Sequence, residues 1–245
     1  MSGKDHKVAA LLEGVEIGPH DPHFAGYFRC FNEQKFYEAH DVLEALWLQD
    51  RNGPDGDFSA YKTGEGPVLI VLQEIFGVNQ VMRDLCDEYA AQGFTAVCPD
   101  LFWRIEPGIQ ITDKTEEEWN QAFELFGKFD VDAGIRDVAA TIAQMRAEGA
   151  DKVGAVGYCL GGQLAYLTAC RTDADACVGY YGVNIQERLD EASRISHPLM
   201  LHIAGKDEFV PAEAQGKIMD ALSKHGLVTI HHYPERDHAF ARPGG

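Results

Sequence analysis

No run of apolar residues approaches the roughly 18 that a membrane-spanning helix needs, and the 245 residues hold only 21 basic side chains against 39 acidic ones. The first absence argues against a membrane partner. The second leaves a formal charge of −18, whose field repels phosphate backbones and anionic headgroups, so no nucleic-acid partner is expected either. Cysteine is scarce too. The six, at 30, 86, 98, 159, 170 and 177, lie far apart with no C-x-x-C pair, so neither a disulfide framework nor a structural zinc site is expected. The opening MSGKDHKVAALLEG is too charged, and its apolar run too short, for a secretory signal; the cytoplasm is the expected compartment. A G-x-S-x-G segment is also missing, which disfavours a serine nucleophile on a sharp strand-to-helix turn.

What is present is an ordinary globular composition, 45% apolar and 24% charged, in a chain long enough to bury about 70–75% of its unfolded surface. From Pro67 onward short β-branched runs alternate with helical periods. PVLIVL (67–72), FTAVC (94–98), KVGAVGY (152–158), ACVGYYG (176–182), PLMLHIAG (198–205) and VTIHHY (228–233) read as strands, apolar nearly throughout as parallel strands buried on both faces are. Segments 79–93, 113–129, 131–149, 162–170 and 211–226 carry apolar residues at helical spacing, and most end at glycine. The pattern predicts a doubly wound α/β domain with six strands.

Residues 1–56 differ. FNEQKFYEAHDVLEALWLQD puts Phe36, Ala39, Val42, Leu43, Leu46 and Trp47 on one helical stripe before Asn52-Gly53-Pro54-Asp55-Gly56 breaks the chain. Two parts follow: a helical segment over 1–56 and an α/β domain over 57–245. His40 and Glu44 share a helix face at i, i+4, but no third or fourth ligand of suitable spacing accompanies them, so packing helices rather than a metal site are expected.

The chemistry points to Gly157-Tyr158-Cys159-Leu160-Gly161-Gly162, which follows one predicted strand and opens a helix. It fits the G-x-(Ser/Cys)-x-G turn that lifts a nucleophile above the sheet, and a thiolate at a helix N-terminus is stabilised by the helix dipole. A buried structural cysteine would read the same way. A nucleophile of this kind needs a histidine and an orienting carboxylate later in the chain. Asp207, in GKDEFVP, and His238, in PERDHAF, each follow a predicted strand in that order. His202, His231 and His232 fall within strands, where a packing or surface role is expected, and Glu208 and Asp237 read as solvated loop charges.

From about Asp57 the chain resembles the dienelactone hydrolase family. The resemblance rests on QEIFGVN (73–79), CPDLFWR (98–104), GYCLGG (157–162), GYYG (179–182), GKDEFVPAE (205–213) and DHAFAR (237–242), in matching order and spacing. It implies an α/β-hydrolase fold and hydrolysis of lactones and esters with no cofactor and no metal. Cys159 would be the nucleophile, His238 the base, and Asp207 the residue orienting it. Glu74 would hold the resting thiol protonated until substrate displaces it, and the backbone amides of Leu160 and Ile75 would bind the oxyanion. Arg104 and Arg242 would grip a substrate carboxylate, with Arg104 also positioning Glu74. The expected partner is a small lactone or ester bearing that carboxylate. Relative to the family, the chain is expected to lack an opening strand pair and the last helix. Residues 20–50 resemble a different family of small helical bacterial proteins of unknown function. A catalytically silent member, binding partners through the N-terminal helices, is the alternative function.

Overall fold

The structure, a computed structural model, describes residues 58–242. The predicted helix over 33–48, with His40 and Glu44, lies outside the described residues. A seven-stranded sheet runs in the order β1-β3-β2-β4-β5-β6-β7. Its strands are β1 (Ala60–Thr63), β2 (Val68–Leu72), β3 (Thr95–Pro99), β4 (Val153–Tyr158), β5 (Ala176–Tyr180), β6 (Leu199–Ala204) and β7 (Val228–Tyr233). All pair in parallel except β1, which runs antiparallel to β3 with Tyr61 opposite Cys98. This is the α/β-hydrolase fold. Its helices are α1 (Gln80–Ala91), α2 (Glu116–Lys128), α3 (Val131–Ala147), α4 (Leu160–Arg171) and α5 (Ala212–Leu222). Among the described residues, no helix is long and apolar enough to cross a membrane.

The six expected strands are present, and β1 is a correction to that count. Its four residues, AYKT, alternate between exposed and half-buried, so the segment lacks the continuous apolar run that marks β2, whose Ile70, Val71 and Leu72 are wholly buried. The helix over 162–170 begins earlier than expected, at Leu160, because the turn at Cys159 takes a single residue.

Two opposite faces of the central strands carry different packing. On one, α1 covers Tyr158, and the Tyr89 and Tyr158 hydroxyls lie 2.7 Å apart. The register there aligns Tyr158, Tyr180, His202 and His231 across β4 to β7. Their rings stack at centroid distances of 5.2, 4.3 and 5.1 Å. His202 also bonds the Tyr233 hydroxyl at 2.9 Å, and burial, helped by nearby His231, lowers its pKa to about 4. This strand histidine is a neutral packing group.

On the other face α4 presses against the strands where side chains are missing. A Cβ on Gly157 would sit 1.8 Å from the Gly161 carbonyl oxygen; one on Gly161 would sit 2.2 Å from that of Leu72; one on Gly162, 2.6 Å from Gly182 Cα. Side chains here would force helix and sheet apart. Gly216 in α5 has no atom near its Cβ position. Gly161→Ala should therefore cost more than about 3 kcal/mol of stability or abolish folding, while Gly216→Ala should add about 0.5–1 kcal/mol by favouring the helix. Urea denaturation of the two variants checks both; equal effects would contradict this packing.

Candidate active site

β4 ends at Tyr158, and the chain enters α4 through Cys159 at φ 55°, ψ −113°. An L-residue in that region carries about 1–3 kcal/mol of strain, which the surroundings must hold in place. They do so through the backbone. The Cys159 N–H donates to the Tyr180 carbonyl at 3.1 Å, and its own carbonyl accepts from Gly162, Gln163 and Val183 at 3.0, 3.3 and 3.3 Å. The result is a buried thiol at the head of α4, lining a cavity of about 720 Å³.

Asp207 follows β6. Its Oδ1 accepts the backbone N–H groups of Phe209 and Val210 at 2.9 and 3.2 Å, which turns the loop and fixes the carboxylate. Its Oδ2 is left for His238, whose Nδ1 lies at 2.8 Å. The loops bearing the two residues are joined by Gly205 N–H to Tyr233 O and Lys206 N–H to Arg236 O, at 2.8 and 2.9 Å. Phe209 and Tyr181 each flank the His238 ring at 4.8 Å. With Nδ1 committed to Asp207, Nε2 is the nitrogen free to exchange a proton, and both His238 and Cys159 line the cavity. His232, by contrast, is an exposed strand residue bonded to Gln215 at 3.3 Å.

Glu74 lies just past β2, buried, with its Oε2 accepting from Arg242 at 3.0 Å. Burial pushes its carboxyl above the usual range, and Arg242 pulls it partly back. The Cys159 thiol is raised well above the ordinary value, by burial first and by the Glu74 charge second, while the Leu160 amide stabilises the thiolate. Resting Cys159 is therefore a thiol. Leu160 opens α4, and Ile75 lines the cavity. The Tyr181 hydroxyl is buried beside Glu74 and Cys159 without a hydrogen bond of good geometry. Among the described residues there is no group of three or more metal-ligating side chains.

The two arginines separate. Arg242 reaches Glu74 and also Asp113, both through its guanidinium. Arg104, expected to position Glu74, instead donates through Nε and Nη2 to Asp137 on α3 at 3.3 and 2.7 Å and lies over the Trp103 ring at 4.3 Å. It is not part of the cavity wall. Asp137 is buried and is also held by the Trp103 indole at 3.0 Å.

Sequence reasoning missed Asp113 and the aromatic wall around Trp119. Thr115 caps α2 by accepting the Glu118 N–H at 3.2 Å, and Glu118 reaches back to the Thr112 N–H and hydroxyl at 2.8 and 2.7 Å. The T-E-E-E spacing was the available signal for that cap, and the cap sets the loop that presents Asp113. Glu208, expected to be a solvated loop charge, is exposed but lies on the cavity rim.

Removing the Glu74 charge takes away one of the causes that raise the Cys159 thiol, so Glu74→Gln should shift its ionisation to lower pH. Iodoacetamide labelling of Cys159, followed by peptide mass mapping from pH 6 to 10, should be slow in the parent protein through pH 8 and severalfold faster there in the variant. An unchanged profile would show that Glu74 does not govern the thiol.

Comparison with known proteins adds an independent line. Residues 58–245 match the family model described as the dienelactone hydrolase family, and residues 24–61 match a domain of unknown function. A protein of Azospirillum brasilense, provisionally named a carboxymethylenebutenolidase, is 54% identical over 201 residues, covering 79% of this chain and 86% of its own. The carboxymethylenebutenolidase of Pseudomonas putida is 42% identical, covering 72% of this chain and 75% of its own. A crystal structure from Klebsiella pneumoniae subsp. pneumoniae, provisionally described as a dienelactone hydrolase, superposes with a TM-score of 0.65 at 26% identity, over 78% of this chain and 85% of that one.

Proposed function

The chain belongs to the dienelactone hydrolase family, and from that premise we propose that it is a cofactor-free hydrolase of lactones and carboxylic esters acting through Cys159, His238 and Asp207. The observation that carries the reading is the convergence on one cavity of a strained cysteine at a helix head and an imidazole whose Nδ1 is anchored to a buried carboxylate. Residues 57–245 form the hydrolase domain in this reading, residues 1–56 a separate helical segment, and the cytoplasm is the compartment.

The chemistry follows from the groups in place. His238 Nε2 takes the thiol proton as Cys159 Sγ attacks the carbonyl carbon, and the oxygen that gains charge is met by the backbone amides of Leu160 and Ile75. The tetrahedral adduct collapses with cleavage of the C–O bond. His238 returns its proton to the departing oxygen, leaving an acyl-thioester on Cys159. A water, deprotonated by His238 Nε2, then attacks the thioester carbonyl; the acid leaves and the thiol is restored. Asp207 holds the imidazole in the orientation both steps need. Glu74 suits a resting guard, since a carboxylate beside a thiol disfavours the oxidisable thiolate. A substrate carboxylate would have to take Arg242 from Glu74 and Asp113, because Arg104 is engaged with Asp137.

Cys159→Ala and His238→Ala should each lower kcat for a lactone or aryl ester by about 10³-fold or more with folding intact by circular dichroism. His232→Ala should leave the rate unchanged. Activity of Cys159→Ala within tenfold of the parent would overturn the assignment.

A further inference from the structure

One buried group beside the nucleophile takes no part in the proposed steps. Tyr181, just past β5, is 1% exposed, and its hydroxyl has no hydrogen-bond partner. Buried polar groups left unpaired are few in a folded protein, because each carries the desolvation cost of an unused donor. Burial first, and then the Glu74 and Cys159 charges, raise the pKa of this phenol, so it keeps its proton as a donor. The Glu74 carboxylate is thus near enough to act on the hydroxyl, without the geometry of a hydrogen bond.

The backbone at Tyr181 is also unusual. Its φ is 38°, one of four positive values at non-glycine positions among the described residues; of the others, Cys159 is the proposed nucleophile and Ala239 follows His238. Such conformations persist only where the surroundings hold them. Here the Tyr181 N–H donates to the His202 carbonyl at 2.8 Å, and the Val183 N–H, two residues on, donates to the Cys159 carbonyl at 3.3 Å. The ring lies 4.8 Å from that of His238 and 5.7 Å from that of Phe240. The phenol is held against the site with its hydroxyl free.

Glu74 has the complementary need. Its side chain is buried, and Arg242 is the one residue hydrogen-bonded to its carboxylate among the described residues. A substrate carboxylate that takes Arg242 leaves Glu74 as a buried charge with no donor, which is a costly state. A free hydroxyl at its side offers the replacement.

We propose that Tyr181 is a positioning residue: when a substrate carboxylate takes Arg242, Glu74 turns to the Tyr181 hydroxyl, which donates to it and holds it off Cys159 while the thiol gives its proton to His238. The proposal rests on the hydrolase reading above and names the group that receives Glu74.

Tyr181→Phe keeps the ring and removes the hydroxyl. The test pairs an enol-lactone carrying a carboxymethylene group with its carboxamide counterpart, which presents the same scissile bond but no charge to Arg242. In the full-length protein the variant should lower kcat for the carboxylate lactone about tenfold with KM within about twofold, and should move neither constant more than about twofold for the carboxamide. Equal losses on both lactones would mean that the phenol only packs against His238, and no loss on either would leave the hydroxyl without a role; both results overturn the proposal. A readout without turnover uses cyclopentylacetate, a carboxylate with no ester to cleave. Its binding should raise the ultraviolet absorbance of the thiolate in the parent protein, severalfold less in Tyr181→Phe, and not at all in Cys159→Ala. No rise in the parent, an equal rise in Tyr181→Phe, or a rise that survives Cys159→Ala would contradict the proposal. A protein whose thiolate responds to cyclopentylacetate through Tyr181 but that cleaves neither lactone overturns the hydrolase reading while leaving the role of Tyr181 standing.

Discussion

The close seating of α4 on the sheet is the constraint from which the site follows. Gly157, Gly161 and Gly162 leave no room for a Cβ where helix, β2 and β5 meet. The helix can therefore start one residue after β4 ends, and that one residue, Cys159, must bridge them at positive φ. The strain is local, while the opposing packing is spread over wholly buried Leu160, Leu164, Ala165 and Leu167. A thiol is thus fixed at the carboxyl edge of the sheet, at a helix head, and at the one end of the fold where the loops after β6 and β7 can reach it.

Electrostatics then divides the site into two halves. Around Cys159, burial first and the Glu74 charge second favour the neutral thiol, and in the proposed mechanism a change at Glu74 is what would help release its proton. Around His238, the buried Asp207 fixes one ring nitrogen and leaves the other for exchange. Arg242 links the halves to the far side of the cavity, because the guanidinium that holds Glu74 also holds Asp113 in the loop ahead of α2. A ligand that disturbs Asp113 is therefore coupled, through a single side chain, to the carboxylate beside Cys159.

Much of this was legible in the sequence, for identifiable reasons. β2, β4 and β6 announce themselves because parallel strands covered on both faces need unbroken apolar runs. Cys159, Asp207 and His238 stand out because each follows a strand, and strand ends in this topology gather at one edge. β1 did not show, being a four-residue edge strand with Lys62 in it. Arg104 was misplaced because a long, flexible cation gives no clue to which carboxylate it will meet, and Asp137, 33 residues onward on α3, is buried within its reach. Segment 113–129 shows apolar residues at helical spacing, yet only Ala122 and Leu125 of α2 are buried, while Trp119 and Phe123 face the cavity. Helical periodicity distinguishes an apolar face from a polar one, not a core from a binding pocket.

The central claim is that hydrolysis passes through an acyl group on Cys159. Its most direct test is to quench the full-length protein in acid during turnover of an aryl ester and map the adduct by peptide mass spectrometry. The account predicts a mass increase equal to the acyl group on the peptide containing Cys159, removed by hydroxylamine and absent from His238. A protein that turns over substrate with no adduct at Cys159 under any quench time, or with the adduct on another residue, would contradict it.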